Sequence, residues 1–161
     1  MLRSKMIRPR LLLPICTALA SSGCFSMLPI DGPAAAGKGD GALGSVTLHS
    51  ERLGQSTLAP DSCRAGDREF YLGADFVDGK SKLITRLAFD PLEGPGIRIF
   101  ESGVAERSIV FRRGDCKVLD YTFEPTNWRI NDVYDYHVSV KFDCARSGDA
   151  ANGELSAAHC H

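Results

Sequence analysis

From residue 45 onward apolar residues recur at every second position in short runs, the period of strands that bury one face and wet the other. Tyr136, Val138, Val140, Phe142 and Cys144 alternate without a break against His137, Ser139, Lys141 and Asp143, and predict the clearest strand. Val46 and Leu48 predict an opening strand from Ser45. Phe70, Leu72, Ala74 and Phe76 predict one face of a strand from Arg68 to Val77, with Glu69, Tyr71 and Asp75 on the other. Leu83, Thr85, Leu87 and Phe89 predict its return. Between the two, Asp78-Gly79 predicts a hairpin with a type I′ turn, because both residues tolerate positive φ. Ile97 and Ile99, Ile109 and Phe111, and Leu119, Tyr121 and Phe123 mark three further strands, with breaks at Asp90–Gly96 and Arg113–Asp115. Leu58–Arg64, Pro125–Asp132 and Arg146–Gly153 read as loops, the first holding Cys63 and the second the sole Trp128, and Glu154–Cys160 predicts the closing strand. No window of a dozen residues carries a helical stripe. The expected fold is therefore all-β, an antiparallel β-sandwich of about seven or eight short strands, with a small β-barrel as the alternative. Mostly short links predict that neighbouring strands pair in sequence order.

The start of the chain has a different texture. Arg3, Lys5, Arg8 and Arg10 precede an apolar run from Leu11 to Ala20 and then small residues, the layout of a secretory signal peptide. The run falls short of the roughly 20 residues that a spanning helix needs, so membrane attachment would come from a lipid. Ser21-Ser22-Gly23-Cys24 resembles the lipobox of bacterial lipoproteins, which implies acylation of Cys24 as the first mature residue; Ser21 stands where that family usually carries Leu. The competing site is Ala18-Leu19-Ala20, whose cleavage would give a soluble secreted protein starting at Ser21. The expected organisation is a signal over residues 1–23, a lipid-anchored flexible tether over 24–44, rich in Gly, Ala and Pro, and a β domain over 45–161.

Cysteine parity bears on that choice. Cys16 leaves with the signal on either reading, and acylating Cys24 leaves Cys63, Cys116, Cys144 and Cys160, an even set suited to an oxidising compartment such as the periplasm. Four cysteines allow three pairings. Folding the chain back about the Trp128 loop favours Cys116 with Cys144, and the remaining pair, Cys63 with Cys160, ties the start of the domain to its end. Cys116 lies at the wrong parity to share an inward face with Leu119, so this pairing requires a bulge or a strand that starts after Cys116.

Charge and candidate chemistry narrow the function. Of 19 Lys and Arg, four go with the signal, leaving 15 against 20 Asp and Glu. This acidic balance, with scattered basic residues, argues against a nucleic-acid partner. His159-Cys160-His161 offers metal-ligand chemistry, with His49 or His137 in reserve, but adjacent strand residues face opposite ways and Cys160 suits a disulfide better. Asp75, Asp78 and Asp90 lack the spacing of a calcium loop. No serine sits in a nucleophile motif, Asp132 and Asp135 read as solvated loop residues, and Gly37-Lys38-Gly39 lacks the frame of a phosphate loop. Neither a cofactor, a metal nor a catalytic residue is expected. Trp128 with Tyr134 and Tyr136 forms the candidate ligand surface, an aromatic platform for a glycan or peptide.

The layout of SSGC, Gly/Ala tether and four-cysteine β domain ending in Cys-His is similar to that of small predicted surface lipoproteins of high-GC bacteria. That resemblance implies a cell-envelope location, held at the outer membrane by palmitate-like acyl chains. The expected function is non-enzymatic: a lipid-anchored binding or structural module that contacts an envelope protein or glycan. The alternatives are an envelope enzyme or metal-binding protein using His137, His159 or His161, and a soluble secreted factor cleaved after Ala20.

Overall fold

The computed structural model describes residues 41–161; the signal, Cys24 and the greater part of the tether lie outside them. Ten strands form two antiparallel sheets of five, not closed into a barrel. The first sheet contains β1 (Leu43–Ser50), β2 (Gly54–Leu58), β8 (Cys116–Ile130), β9 (Val133–Arg146) and β10 (Asp149–Cys160), in the order β2-β1-β10-β9-β8. The second contains β3 (Ser62–Ala65), β4 (Gly73–Val77), β5 (Leu83–Asp90), β6 (Gly94–Glu101) and β7 (Val104–Arg112), paired in sequence order. The alternation in β9 translates directly into burial: Tyr136, Val138, Val140, Phe142 and Cys144 face the core and His137 and Lys141 face water. Opposite them, Phe76, Leu87, Ile97, Ile99, Ile109 and Phe111 fill the core from the second sheet.

The two sheets cross rather than align. Cys63 on β3 reaches Cys160 at the end of β10, Phe89 on β5 lies against Tyr121 and Phe123 of β8, and Ser108–Val110 of β7 flank Arg146 and Ser147 at the far end of β9. Moving across the second sheet from β3 to β7 thus moves along the strands of the first, as in orthogonal sandwiches.

Several turns are tighter than the residue pattern suggests. The stretch Pro125–Asp132 is not a loop: β8 continues to Ile130, and Asn131 and Asp132, with φ of 51° and 64°, make the two-residue turn into β9. Arg146–Gly153 likewise contracts to Ser147-Gly148, with φ of 49° and 85°, so β10 begins at Asp149. Positive φ at both central positions is what a type I′ turn requires, and its twist matches that of the flanking strands. At Asp78 the expected two-residue turn is instead a longer one. The Asp78 carboxylate accepts the N–H groups of Lys80, Ser81 and Ala59, and Lys82 takes the positive φ, 62°. Burial pushes the Asp78 carboxyl up, but the Ser81, Ala59 and Lys80 donors outweigh it and hold it below the ordinary aspartate range.

The strand expected from Arg68 to Val77 is shorter. Gly66–Glu69 is a 3₁₀ turn, Phe70 has φ 60° and is 99% exposed, and β4 starts only at Gly73. A side chain at Gly73 would sit 2.0 Å from the Leu87 carbonyl oxygen, so only glycine lets β4 dock on β5 there. Cys63, assigned to a loop from the sequence, lies on β3.

Both expected disulfides are present, Cys63–Cys160 between the sheets and Cys116–Cys144 within the first. The parity conflict at Cys116 is resolved by a bulge: Cys116 pairs with Cys144 but Val118 pairs with Asp143, so Lys117 is the extra residue. The bridges close loops of 97 and 28 residues. Loop entropy assigns them about 4–5 and about 3–4 kcal/mol. Replacing Cys63 and Cys160 by Ala is expected to lower the denaturant midpoint more than replacing Cys116 and Cys144, a ranking that urea melts of the two double variants check.

Candidate functional site: an aromatic ladder and the carboxylate beneath it

The β8–β9 hairpin presents its aromatic residues as a ladder at one end of the sandwich. Tyr136 stacks on Phe123 with ring centroids 4.3 Å apart and planes 15° from parallel. Phe123 meets Phe89 at 5.5 Å, Phe89 meets Tyr121 edge-on at 5.1 Å, and Tyr134 meets Tyr136 at 6.4 Å. The Arg129 guanidinium lies 3.9 Å over the Tyr134 ring and contacts its hydroxyl, closing the ladder with a cation–π contact. The ladder is graded from buried to wet, with Tyr136 8% exposed, Tyr134 38% and Tyr121 43%; Trp128, on the β8 bulge and outside the stacked rings, is 69% exposed. Tyr136 is therefore a support under the candidate ligand surface, and Trp128 and Tyr134 form the part that solvent reaches. The Tyr136 hydroxyl donates to Asp67 Oδ2 at 2.9 Å, which brings the 3₁₀ turn and its exposed neighbours Phe70 and Leu72 to the same end of the molecule.

What holds Trp128 in place is a buried carboxylate that the sequence pattern hides. Asp135 should face water beside its outward neighbour His137, yet it is 2% exposed. Both strands flanking β9 break register around it. On β8, Pro125 pairs with Tyr136 and Arg129 with Tyr134, so Thr126, Asn127 and Trp128 stand opposite Asp135 alone; on β10 the register shifts between Ala157 and Cys160. Bulges re-aim side chains. Here they bring three donors to one carboxylate: Thr126 Oγ1 at 3.0 Å, His159 Nδ1 at 2.7 Å and the Cys160 N–H at 2.9 Å. Thr126 Oγ1 in turn accepts the Trp128 N–H at 3.2 Å, so the bulge carrying Trp128 hangs from Asp135.

Thr126 Oγ1 donates to the Asp135 carboxylate, the same group that holds the His159 imidazole. His161 Nδ1 lies 3.9 Å from the other carboxylate oxygen, and Cys160 is in its disulfide. Among the described residues no group of three or more His, Cys, Asp or Glu is placed to hold a metal ion. His137 is exposed on the outward face of β9.

The other concentration of charge lies on the outward face of the second sheet. Arg86 makes a bidentate pair with buried Asp75 at 2.7 and 2.8 Å, adds Glu69 at 2.9 Å, and stacks 3.8 Å from the Tyr71 ring centroid. Burial opposes the Arg86 charge, but the Asp75 carboxylate outweighs it and the guanidinium pKa rises; burial, then Asp75, raises the Tyr71 phenol as well. Arg86, Asp75 and Glu69 each find a charged partner within this cluster, and the Asp75–Arg86 pair braces β4 against β5. Asp90 similarly spends its carboxylate on the Leu92 and Glu93 N–H groups, so Asp75, Asp78 and Asp90 each have partners inside the fold.

No protein-family model, curated protein or solved structure matches this chain.

The phenol of Tyr136 is pushed up to about 12, by burial and then by its bond to Asp67. A folded pKa above the unfolded value of about 10 contributes stability that is complete below pH 10 and lost as pH rises through the folded value. Tyr136→Phe is expected to cost roughly 1 kcal/mol at neutral pH. The gap to the parent should close as the pH approaches about 12, and the variant should lack one step of the 295 nm phenolate titration there.

Proposed function

We propose that this protein is a lipid-anchored component of the cell envelope, attached through Cys24, that acts as a non-enzymatic binding module for an envelope protein or glycan. The observation that carries the binding part is the graded aromatic ladder. The exposed Tyr134 phenol, backed by the Tyr136 ring, and the exposed Trp128 indole, carried on a bulge held by Thr126, offer apolar faces on which a sugar ring or an apolar peptide side chain can stack. The anchoring part is supported by the cysteines. With Cys63 joined to Cys160 and Cys116 to Cys144, neither bridge uses Cys24, and the disulfides suit an oxidising compartment such as the periplasm. Two or three acyl chains, at about 0.8 kcal/mol per buried methylene, would hold it at the outer membrane.

The anchor has a direct test. Intact mass of the protein from the membrane fraction should show a chain starting at Cys24 with acyl groups and no free thiol before reduction; an unacylated soluble chain starting at Ser21 would replace this reading with a secreted factor. For the surface, envelope glycans and proteins captured by the parent are compared with those captured by Trp128→Ala and Tyr134→Ala. Each substitution should weaken capture about fivefold, since stacking on one ring is worth about 0.5–1.5 kcal/mol. Unchanged capture by the double variant, with thermal unfolding intact, would remove the aromatic surface from the function.

A further inference from the structure

Four strands end the two sheets: β2 and β8 in the first, β3 and β7 in the second. A free sheet edge is a template for another chain, and native proteins blunt it with short strands, proline, bulges or charge. Three of these four are blunted. β2 has 5 residues and β3 has 4. β8 carries Pro125 and two breaks in register. β7 is blunted only in part. It runs for 9 residues, Val104–Arg112, without a proline, and its irregularity falls between the Ile99–Ile109 and Glu101–Val104 pairs. From Ile109 to Arg112 it pairs regularly with β6; the charged residues Glu106 and Arg107 lie towards its start, and Arg112, held by Glu93 at 2.9 Å, ends it.

Beside this edge lies a groove of about 280 Å³ with Ser108–Val110 on one side and Arg52, Arg146, Ser147 and Asp149 on the other. The two arginine side chains are 61% and 48% exposed, and each is paired with a more buried carboxylate, that of Arg52 itself lining the groove. Asp149 lies 3.3 Å from Arg52, and Asp115 lies 3.7 Å from Arg146. A guanidinium has five N–H donors in a planar fork, so one contact leaves donors directed elsewhere. The groove therefore combines the start of the regular edge at Ile109 and Val110, two serines and two exposed cations. Val110, 43% exposed, adds an apolar contact on the outward face.

We propose that β7 is a docking edge for an extended acidic peptide segment of a partner protein. The segment adds a strand beside Ser108–Arg112 and sets a carboxylate side chain between Arg52 and Arg146. Main-chain hydrogen bonds to the edge provide the attraction, and the arginines select acidic over basic sequences. The groove lies beside the β9–β10 turn, at the end of β9 away from the β8–β9 turn, so this docking edge stands or falls independently of the aromatic surface.

The test follows anisotropy of fluorescein-labelled Val-Glu-Val-Asp-Val-Thr-amide titrated with the full chain, against the same peptide with Lys in place of Glu and Asp. The acidic peptide should saturate, and the basic one should bind at least about tenfold more weakly. Arg146→Gln should weaken the acidic peptide about fivefold and Arg52→Gln,Arg146→Gln should bring it to background, while Ser108→Pro should abolish binding with the circular dichroism of the fold retained. Equal binding of both peptides, no binding of the acidic one, or affinity unchanged in the arginine variants overturns the proposal. So does sedimentation showing that a second copy of the chain already occupies the β7 edge.

Discussion

A carboxylate taken out of water must be surrounded by donors, and the placement of the bulge that carries Trp128 depends on how that demand is met at Asp135. The backbone N–H that it accepts belongs to Cys160, the residue that bridges the two sheets through Cys63. The hydroxyl it accepts belongs to Thr126, which in turn holds the Trp128 amide. One covalent link between sheets, one buried charge and one bulged segment are thus in series. Leaving the carboxylate in place without its partners would cost several kcal/mol, far more than any single surface contact. The bulges on β8 and β10 are therefore requirements of the charge rather than irregularities of the sheet.

Much of the fold can be read from the chain because half-buried strands write their orientation into alternate residues. Val138, Val140 and Phe142 left no choice of face for β9, and the same alternation exposed the parity conflict at Cys116, which the bulge at Lys117 resolves. The pattern misleads where the backbone stops being extended. Phe70 and Leu72 keep the right spacing for a strand face, but a 3₁₀ turn and a left-handed Phe70 carry them out to solvent. Asn131-Asp132 and Ser147-Gly148 were hidden for another reason. Polar residues on the wet face of long strands look like loop residues, so the turns within them seemed far longer than two residues.

The site was legible only in part. Trp128, Tyr134 and Tyr136 stand out by residue type, and the hairpin does gather them at one end of the sandwich, though with Tyr136 beneath the surface. Phe89, Tyr121 and Phe123, which complete the ladder, come from strands whose crossing no local pattern encodes. Asp135 could not have been singled out: its period-two neighbours face water, and only the paired register shifts on both sides turn its surroundings inward. The Arg86 cluster shows the same limit, since Asp75 and Arg86 are opposite each other only through the β4–β5 register.

The place where the chain enters the first sheet has a mechanical consequence. Leu43 opens β1 opposite Ser156 of β10, near the end of the sheet that carries the β8–β9 turn, since Cys160 pairs with Tyr136. A pull between Leu43 and Trp128 would load the sheet from that one end, so the bonds between β1 and β10 would open one after another, as in a zipper. Strands loaded from opposite ends must break their bonds together and resist far larger forces. Under tension β1 is thus the first element to peel, while the Cys63–Cys160 bridge keeps β10 and the carboxylate beside it attached to the second sheet.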